Sequence, residues 1–413
     1  MVDDLLAIVL ATEVGKCLES GRAAFLHHIA GRSVLDHTLH ATEAYAPRRT
    51  LLLTDVPLDV LEPHPEIDII CADETAAPEQ QVQDLRDRTS ASAVLIVAGA
   101  LPLLRTSTLD ALFAAHREGN AELTRTSGEL CVAQNGPILW EVLTSIFAGG
   151  CATPEDLERR YLNEGRRVAI ASVGEPQEVV PVATLASLAK AATVLHQRKA
   201  VALMKAGVVL LDPANTYIDA GVAVGRGTEI LPGVYLRGRT TIGEECQVGP
   251  NTWIEDSVIG TGCRIRFASL ERATVRDAST VGPYTHLRPD ADVGPGARIG
   301  NFVEIKASRV GRGTKVGHHT YLGDADVGAE TNIGAGTITC NYDGKRKHRT
   351  TIGERAFIGS NVSLIAPIVI GADAYVAAGS TITEDVPPGG LAFGRAHQVN
   401  RNRGNAIEEG TQG

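Results

Sequence analysis

From about residue 209 the chain repeats every six residues, and no other feature limits its possible folds so strongly. Aliphatic side chains fall at Ile218, Val224, Ile230, Leu236, Ile242, Val248 and Ile254; after some five-residue steps the phase resumes at Val281, Leu287, Val293, Ile299 and Ile305. It continues through Val310, Val316, Leu322, Val327 and Ile333 and, beyond an insertion, through Ile352, Ile358, Leu364, Ile370, Val376 and Ile382. Many of these precede a glycine, as in Val224-Gly225, Ile242-Gly243, Val248-Gly249, Ile299-Gly300, Val316-Gly317 and Ile370-Gly371. An aliphatic residue at every sixth position, beside a turn-permitting glycine, predicts a parallel β-helix. Three repeats make one triangular coil with the aliphatic side chains stacked inward. So many in-phase positions argue against a coincidental β-sandwich pattern. The 43 glycines in 413 residues agree: they exceed the usual ~7% without the every-third-residue period of collagen.

The first part of the chain reads differently. Short apolar runs at Leu5–Leu10, Thr50–Thr54, Ile67–Ala72 and Val94–Val97 predict buried strands, and helical patterns lie at 33–46, 78–88, 105–119 and 153–165. Strands alternating with helices imply an α/β unit whose mostly parallel sheet is covered on both faces. Residues 182–206, free of Gly and Pro, read as one long helix. The organisation expected is a first domain over 1–177, a linking helix within 178–208, a β-helix over 209–398 and a tail over 399–413.

No apolar run reaches the ~18 to 20 residues of a membrane span, and acids stand near the N-terminus where a signal peptide carries basic residues. The expectation is a soluble cytoplasmic protein with no membrane partner. A net charge of −10 argues against nucleic-acid binding. Seven scattered cysteines without a C-x-x-C pair indicate neither a disulfide framework nor a structural zinc site.

The longest break in the repeat runs from Thr339 to Thr351 and carries Lys345, Arg346, Lys347, His348 and Arg349 in a row. A solenoid accommodates insertions only as loops, and such loops commonly form a binding face. Arg288, Lys306, Arg309, Arg312, Lys315 and the pair His318-His319 lie in neighbouring repeats. Cations clustered on an acidic protein point to an anionic ligand, most simply a phosphate.

Several of these stretches resemble one family. They are Leu287-Arg288-Pro289, Gly300-Asn301-Phe302-Val303-Glu304-Ile305-Lys306, Gly317-His318-His319-Thr320-Tyr321-Leu322-Gly323-Asp324 and the run from Asn332 to Gly344, with Leu211-Asp212-Pro213-Ala214-Asn215-Thr216-Tyr217-Ile218-Asp219 at the start of the repeats. The family is that of the bifunctional N-acetylglucosamine-1-phosphate uridylyltransferase/glucosamine-1-phosphate N-acetyltransferases, and residues 205–398 resemble its acetyltransferase half. The resemblance implies a left-handed β-helix, a homotrimer, and transfer of acetyl from acetyl-CoA to the amine of glucosamine-1-phosphate without a metal. His318 matches the general base; an imidazole, with its ordinary pKa of ~6.5, can take the amine proton near neutral pH. Glu304 is expected to orient that imidazole or hold the sugar. Arg288, Lys306 and Lys347 match the sugar-phosphate binders, Tyr321 and Asn332 the polar sugar contacts. Ala335, Asn341, Tyr342, Ser360, Ala378 and Arg395 match positions lining the coenzyme or acetyl group. Two other readings are an N-acetyltransferase for another amino-sugar phosphate, and a non-catalytic trimeric scaffold, for which His318 and the loop would have eroded.

The family's first half is a nucleotidyltransferase, Rossmann-like in fold. Aligned with its glycine-rich phosphate loop, this chain has Glu13 for a glycine, Cys17 for the arginine, and Ala23-Ala24 for a proline and lysine. The magnesium-binding aspartate is Ala100, and Pro181-Val182-Ala183-Thr184 supplies no counterpart to the family's asparagine ligand. Without a cationic clamp or metal, nucleotidyl transfer lacks its main electrostatic stabilisation. The expectation is a degenerate domain that has lost this activity.

Overall fold

The computed structural model describes residues 5–11, 18–45, 47, 49–54, 61, 67–71, 83, 86, 91–147 and 154–400. The expected helix at 78–88 apart from residues 83 and 86, the phosphate-loop residues Glu13 and Cys17, and the tail beyond residue 400 lie outside the described residues. The chain divides into two compact units, Met1–Lys199 and Ala200–Gly413.

In the first unit, strands β1 (Leu5–Ala11), β2 (Arg49–Thr54), β3 (Asp68–Cys71) and β4 (Ala93–Ala98) pair in parallel, as expected. Three further strands, β5 (Leu123–Arg125), β6 (Leu130–Gln134) and β7 (Val168–Ile170), complete the order 3-2-1-4-6-5-7. β6 runs antiparallel to both neighbours. Only residues 126–129 join it to β5, far too few for the crossover that a parallel pair requires. Period-two alternation sends Leu5, Ala7 and Val9 of β1 into one core and Leu6 and Ile8 into another. The first is closed by α1 (Val34–Glu43) and α2 (Thr106–Glu118), the second by α3 (Pro137–Phe147) and α4 (Pro154–Asn163). Helix α1 starts at a capping box: Ser33 Oγ accepts from Asp36 N–H at 2.9 Å, and Asp36 Oδ2 accepts from Ser33 N–H at 3.1 Å. The long helix α5 spans Leu185–Lys205; Ala191 packs in the first unit's core, and Ala200 and Leu203 in the second's. Among the described residues no helix is long and apolar enough to cross a membrane.

The second unit is a left-handed parallel β-helix. One wall is a nine-stranded parallel sheet, and the other two merge into a nineteen-stranded set. Every in-phase aliphatic residue named from the sequence is buried inside the coil except Val224, which is half-buried. Burying each contributes roughly 1.5–3 kcal/mol.

The glycines serve a different purpose from the one expected. Of the six that follow an aliphatic residue above, only Gly249 takes a positive φ. Of the remaining five, all but Gly317 stand where coils nearly touch: a Cβ on Gly225 would lie 2.6 Å from the carbonyl carbon of Gly243, and one on Gly300 would lie 1.9 Å from the Gly317 oxygen. Left-handed corner positions are often held by other residues, including Tyr284 (φ 55°), Phe302 (φ 57°) and His319 (φ 42°). Stacking between coils meets the steric cost of those conformations: Tyr284 on Phe302 at 5.5 Å, and Phe302 on His319 at 4.9 Å.

Candidate active site

Two nine-residue strands, β8 (Arg298–Lys306) and β9 (Lys315–Gly323), run side by side around one corner of the coil. Their parallel register sets Asn301 beside His318, Glu304 beside Tyr321 and Lys306 beside Gly323. The corner itself holds His318, which is exposed. Its Nδ1 is 2.6 Å from Asn301 Oδ1. An amide oxygen only accepts, so Nδ1–H donates, and in the neutral ring this leaves the lone pair on Nε2.

Glu304 does not orient the imidazole. It lies beyond the corner and accepts from Arg288 Nη1 at 2.7 Å. That hydrogen bond raises the pKa of the guanidinium further, with Tyr321 close enough to add to the effect. Tyr321 follows in the same wall; a Cβ on Gly323 would lie 2.3 Å from its hydroxyl and 2.7 Å from Asn341 Nδ2. Only glycine leaves room there for both side chains.

The insertion is a small hairpin bridged between Tyr342 and Lys347. Asp343 shapes its tip: Oδ1 accepts from the N–H groups of Lys345 and Arg346, each at 2.7 Å, and Oδ2 contacts His348 Nε2 at 2.7 Å. These donors, the Arg346 N–H foremost, hold the Asp343 carboxyl down at about 2. At the base, Asn341 is buried and donates to Asp324 Oδ2 at 2.5 Å. Arg349 makes two hydrogen bonds to Asp326, at 2.5 and 2.8 Å.

The loop's five basic residues therefore do not form one patch. His348 and Arg349 are engaged by carboxylates, whereas Lys347 converges on Lys306, whose ammonium pushes the Lys347 pKa down. Two facing ammonium groups repel one another and are relieved by an anion between them. The wider cationic cluster read from the sequence disperses over different walls. Arg309 turns to Asp292 at 3.9 Å in the nine-stranded wall, and Lys315 stands on the far side of the corner from Lys306.

The expected coenzyme positions fall largely into one column. Continuing the register upward from His318 through the pairs Val316/Ile333, Ile333/Ile358, Ile358/Val376 and Val376/Ala392 places Ala335, Ser360, Ala378 and Gly394 successively along that corner. Arg395 follows, its Cδ 3.7 Å from where a Cβ on Gly379 would stand. Three expected residues sit apart from this column. Asn332 is on the adjoining wall, in register with Lys315. Asn341 is committed to Asp324, and the Tyr342 hydroxyl donates to the Gly344 carbonyl at 2.7 Å within the loop. The sequence reading gave no role to Asn301, Asp324 or Asp343, although each lies inside a stretch it had singled out.

A parallel coil with an exposed imidazole at a corner, a column of small residues above it and paired cations on the wall beyond the corner fits an acyltransferase of the hexapeptide-repeat class. Residues 349–384 match the family described as bacterial transferase hexapeptide (six repeats). The chain is 33% identical to the bifunctional protein GlmU of Syntrophomonas wolfei, over 95% of this chain and 98% of that one, and 36% identical to that of Pelobacter propionicus, over 97% and 98%. Against the GlmU of Carboxydothermus hydrogenoformans it is 41% identical over 75% of this chain and 78% of the relative. The chain belongs to the GlmU family.

Proposed function

We propose that the second unit transfers acetyl from acetyl-CoA to the amine of glucosamine-1-phosphate, and that the first unit has lost uridylyl transfer. The observation that carries the first claim is His318, exposed at the corner and held through Nδ1 by Asn301, with Lys306 facing Lys347 farther along the strand that pairs with its own. Lys306, Lys347 and Arg288 take the sugar phosphate, fixing the acceptor. His318 Nε2 removes the amine proton as nitrogen attacks the thioester carbonyl, and the same proton passes to the departing thiolate. Glu304, Tyr321 and Asn332 hold the sugar. Ala335, Ser360, Ala378 and Arg395 line the acetyl-CoA path, with Asn341 and Tyr342 shaping it from the loop. The active form is a homotrimer, a reading supported by exposed aromatic rows such as Tyr217 stacked on Tyr235 at 4.7 Å. Light scattering should give three times 43.6 kDa.

The second claim rests on Ala24 and Ala100. Ala24 is buried with Leu18, Ile29, Val34 and Leu103, and Ala100 and Val182 pack in the same apolar cluster. Methyl and isopropyl groups offer no ligand to magnesium or to a triphosphate, so the residues at these positions do not fit the metal that the family's first half implies.

Thiol release from acetyl-CoA in the presence of glucosamine-1-phosphate tests the first claim; absence of turnover would overturn it, and activity unchanged by His318→Ala would remove His318 as its base. UDP-N-acetylglucosamine made from UTP, N-acetylglucosamine-1-phosphate and magnesium would overturn the second.

A further inference from the structure

The geometry points to Asn301 as the positioning residue that sets the tautomer of His318, an inference resting on the acetyltransferase reading above. Neutral imidazole has two tautomers, and only the one protonated on Nδ1 presents a basic Nε2 to an incoming amine. The Asn301 side-chain oxygen, 2.6 Å from Nδ1, selects that form. The carboxylate that the resemblance offered for this task, Glu304, is held by Arg288 and leaves it to the amide. An amide also fixes the tautomer without placing a negative charge beside the ring.

Two neighbouring features hold the pair in place. Asn301 and His318 are directly in register on β8 and β9, seventeen residues apart in sequence. The next residues, Phe302 and His319, stack at 4.9 Å with rings 26° apart, so the two coils are clamped immediately beside the hydrogen bond. On the other side the backbone of Gly300 lies against Gly317 so closely that no Cβ fits.

In the reaction the amine nitrogen forms a bond to the thioester carbonyl carbon, and the C–S bond breaks. The amine proton moves to His318 Nε2 and from there to the thiolate. The Nδ1 proton stays on Nδ1 throughout, hydrogen-bonded to Asn301.

Asn301→Ala should lower kcat about tenfold to hundredfold, within the ~10²–10⁴ that a general base supplies, and leave KM for both substrates within about twofold. Asn301→Asp keeps an acceptor at the same place and should recover most of the rate; Asn301→Leu, similar in size without an acceptor, should not. The second readout needs no substrate: ¹⁵N shifts of histidine-labelled protein should show His318 protonated on Nδ1 in the native chain and a mixture of tautomers in Asn301→Ala. Circular dichroism on each variant checks that the coil persists. An unchanged kcat, a loss confined to KM, or an unchanged tautomer in Asn301→Ala would each overturn the assignment. If instead the native chain releases no thiol from acetyl-CoA in the presence of glucosamine-1-phosphate, the acetyltransferase reading itself fails, and the ¹⁵N result still decides the tautomer.

Discussion

The backbone N–H of Val182 donates to the carbonyl of Ala100 at 2.9 Å. Ala100 stands where the resemblance puts the metal-binding aspartate, and Val182 belongs to the stretch that offers no counterpart to the asparagine ligand; a backbone bond joins them, and their side chains are a methyl and an isopropyl group. Gly99 N–H bonds to Leu10 O at 2.7 Å, and Thr38 Oγ1 accepts from Leu101 N–H at 3.1 Å, holding this loop against β1 and α1.

Polar side chains placed there should therefore destabilise the first unit without bringing back uridylyl transfer. Val182→Asn puts an amide into an apolar cluster and should cost about 1–3 kcal/mol. Ala100→Asp with Val182→Asn still lacks the lysine replaced by Ala24. Urea unfolding and a UTP-dependent assay on the double variant check both statements.

The Lys306/Lys347 pair predicts how acceptor binding responds to charge. Removing either ammonium should raise KM for glucosamine-1-phosphate about tenfold or more, the loss of roughly 1.5–3 kcal/mol from a charge-assisted hydrogen bond. KM for acetyl-CoA should change little. Steady-state kinetics on Lys306→Ala and Lys347→Ala at fixed ionic strength test this, and equal effects on both substrates would contradict it.

Gly300 and Gly317 occupy corresponding places on adjacent coils yet should respond oppositely to alanine. A Cβ at 300 would collide with the Gly317 oxygen, whereas one at 317 meets nothing within 4 Å. Gly300→Ala should lose about 1–3 kcal/mol through overpacking. Gly317→Ala, free of a positive φ, should be neutral or gain up to ~1 kcal/mol from lost unfolded-state entropy. Thermal unfolding of the two variants separates the cases.

Asp343 governs the loop tip. Its folded pKa is depressed to about 2 from an ordinary 3.8. The contribution it makes is thus fully present above the ordinary value and is lost only as pH falls through about 2. At pH 7.5 Asp343→Asn should remove it, loosening the hairpin. Trypsin should then cut after Lys345 and Arg346 several times faster than in the native chain, with KM for the sugar phosphate raised; unchanged cleavage would show that the tip is shaped without this carboxylate.

The sequence determined a good deal alone. A hydrophobic period of six can be buried only by winding the chain into a coil, so the core from Ile218 to Ile382 was readable directly, and the substitutions at Ala24 and Ala100 needed no structure to be seen. Contacts between coils were another matter. Asn301 reaches His318, Asp324 reaches Asn341 and Asp326 reaches Arg349 across separations of 17, 17 and 23 residues. Such pairings depend on the length of each coil: Val224 pairs with Ile242, Ile259 with Val275, and Val327 with Ile352. Because that length varies, tertiary register decided which residue orients the histidine, which basic residues keep their charge free for a ligand, and why the glycines are glycine.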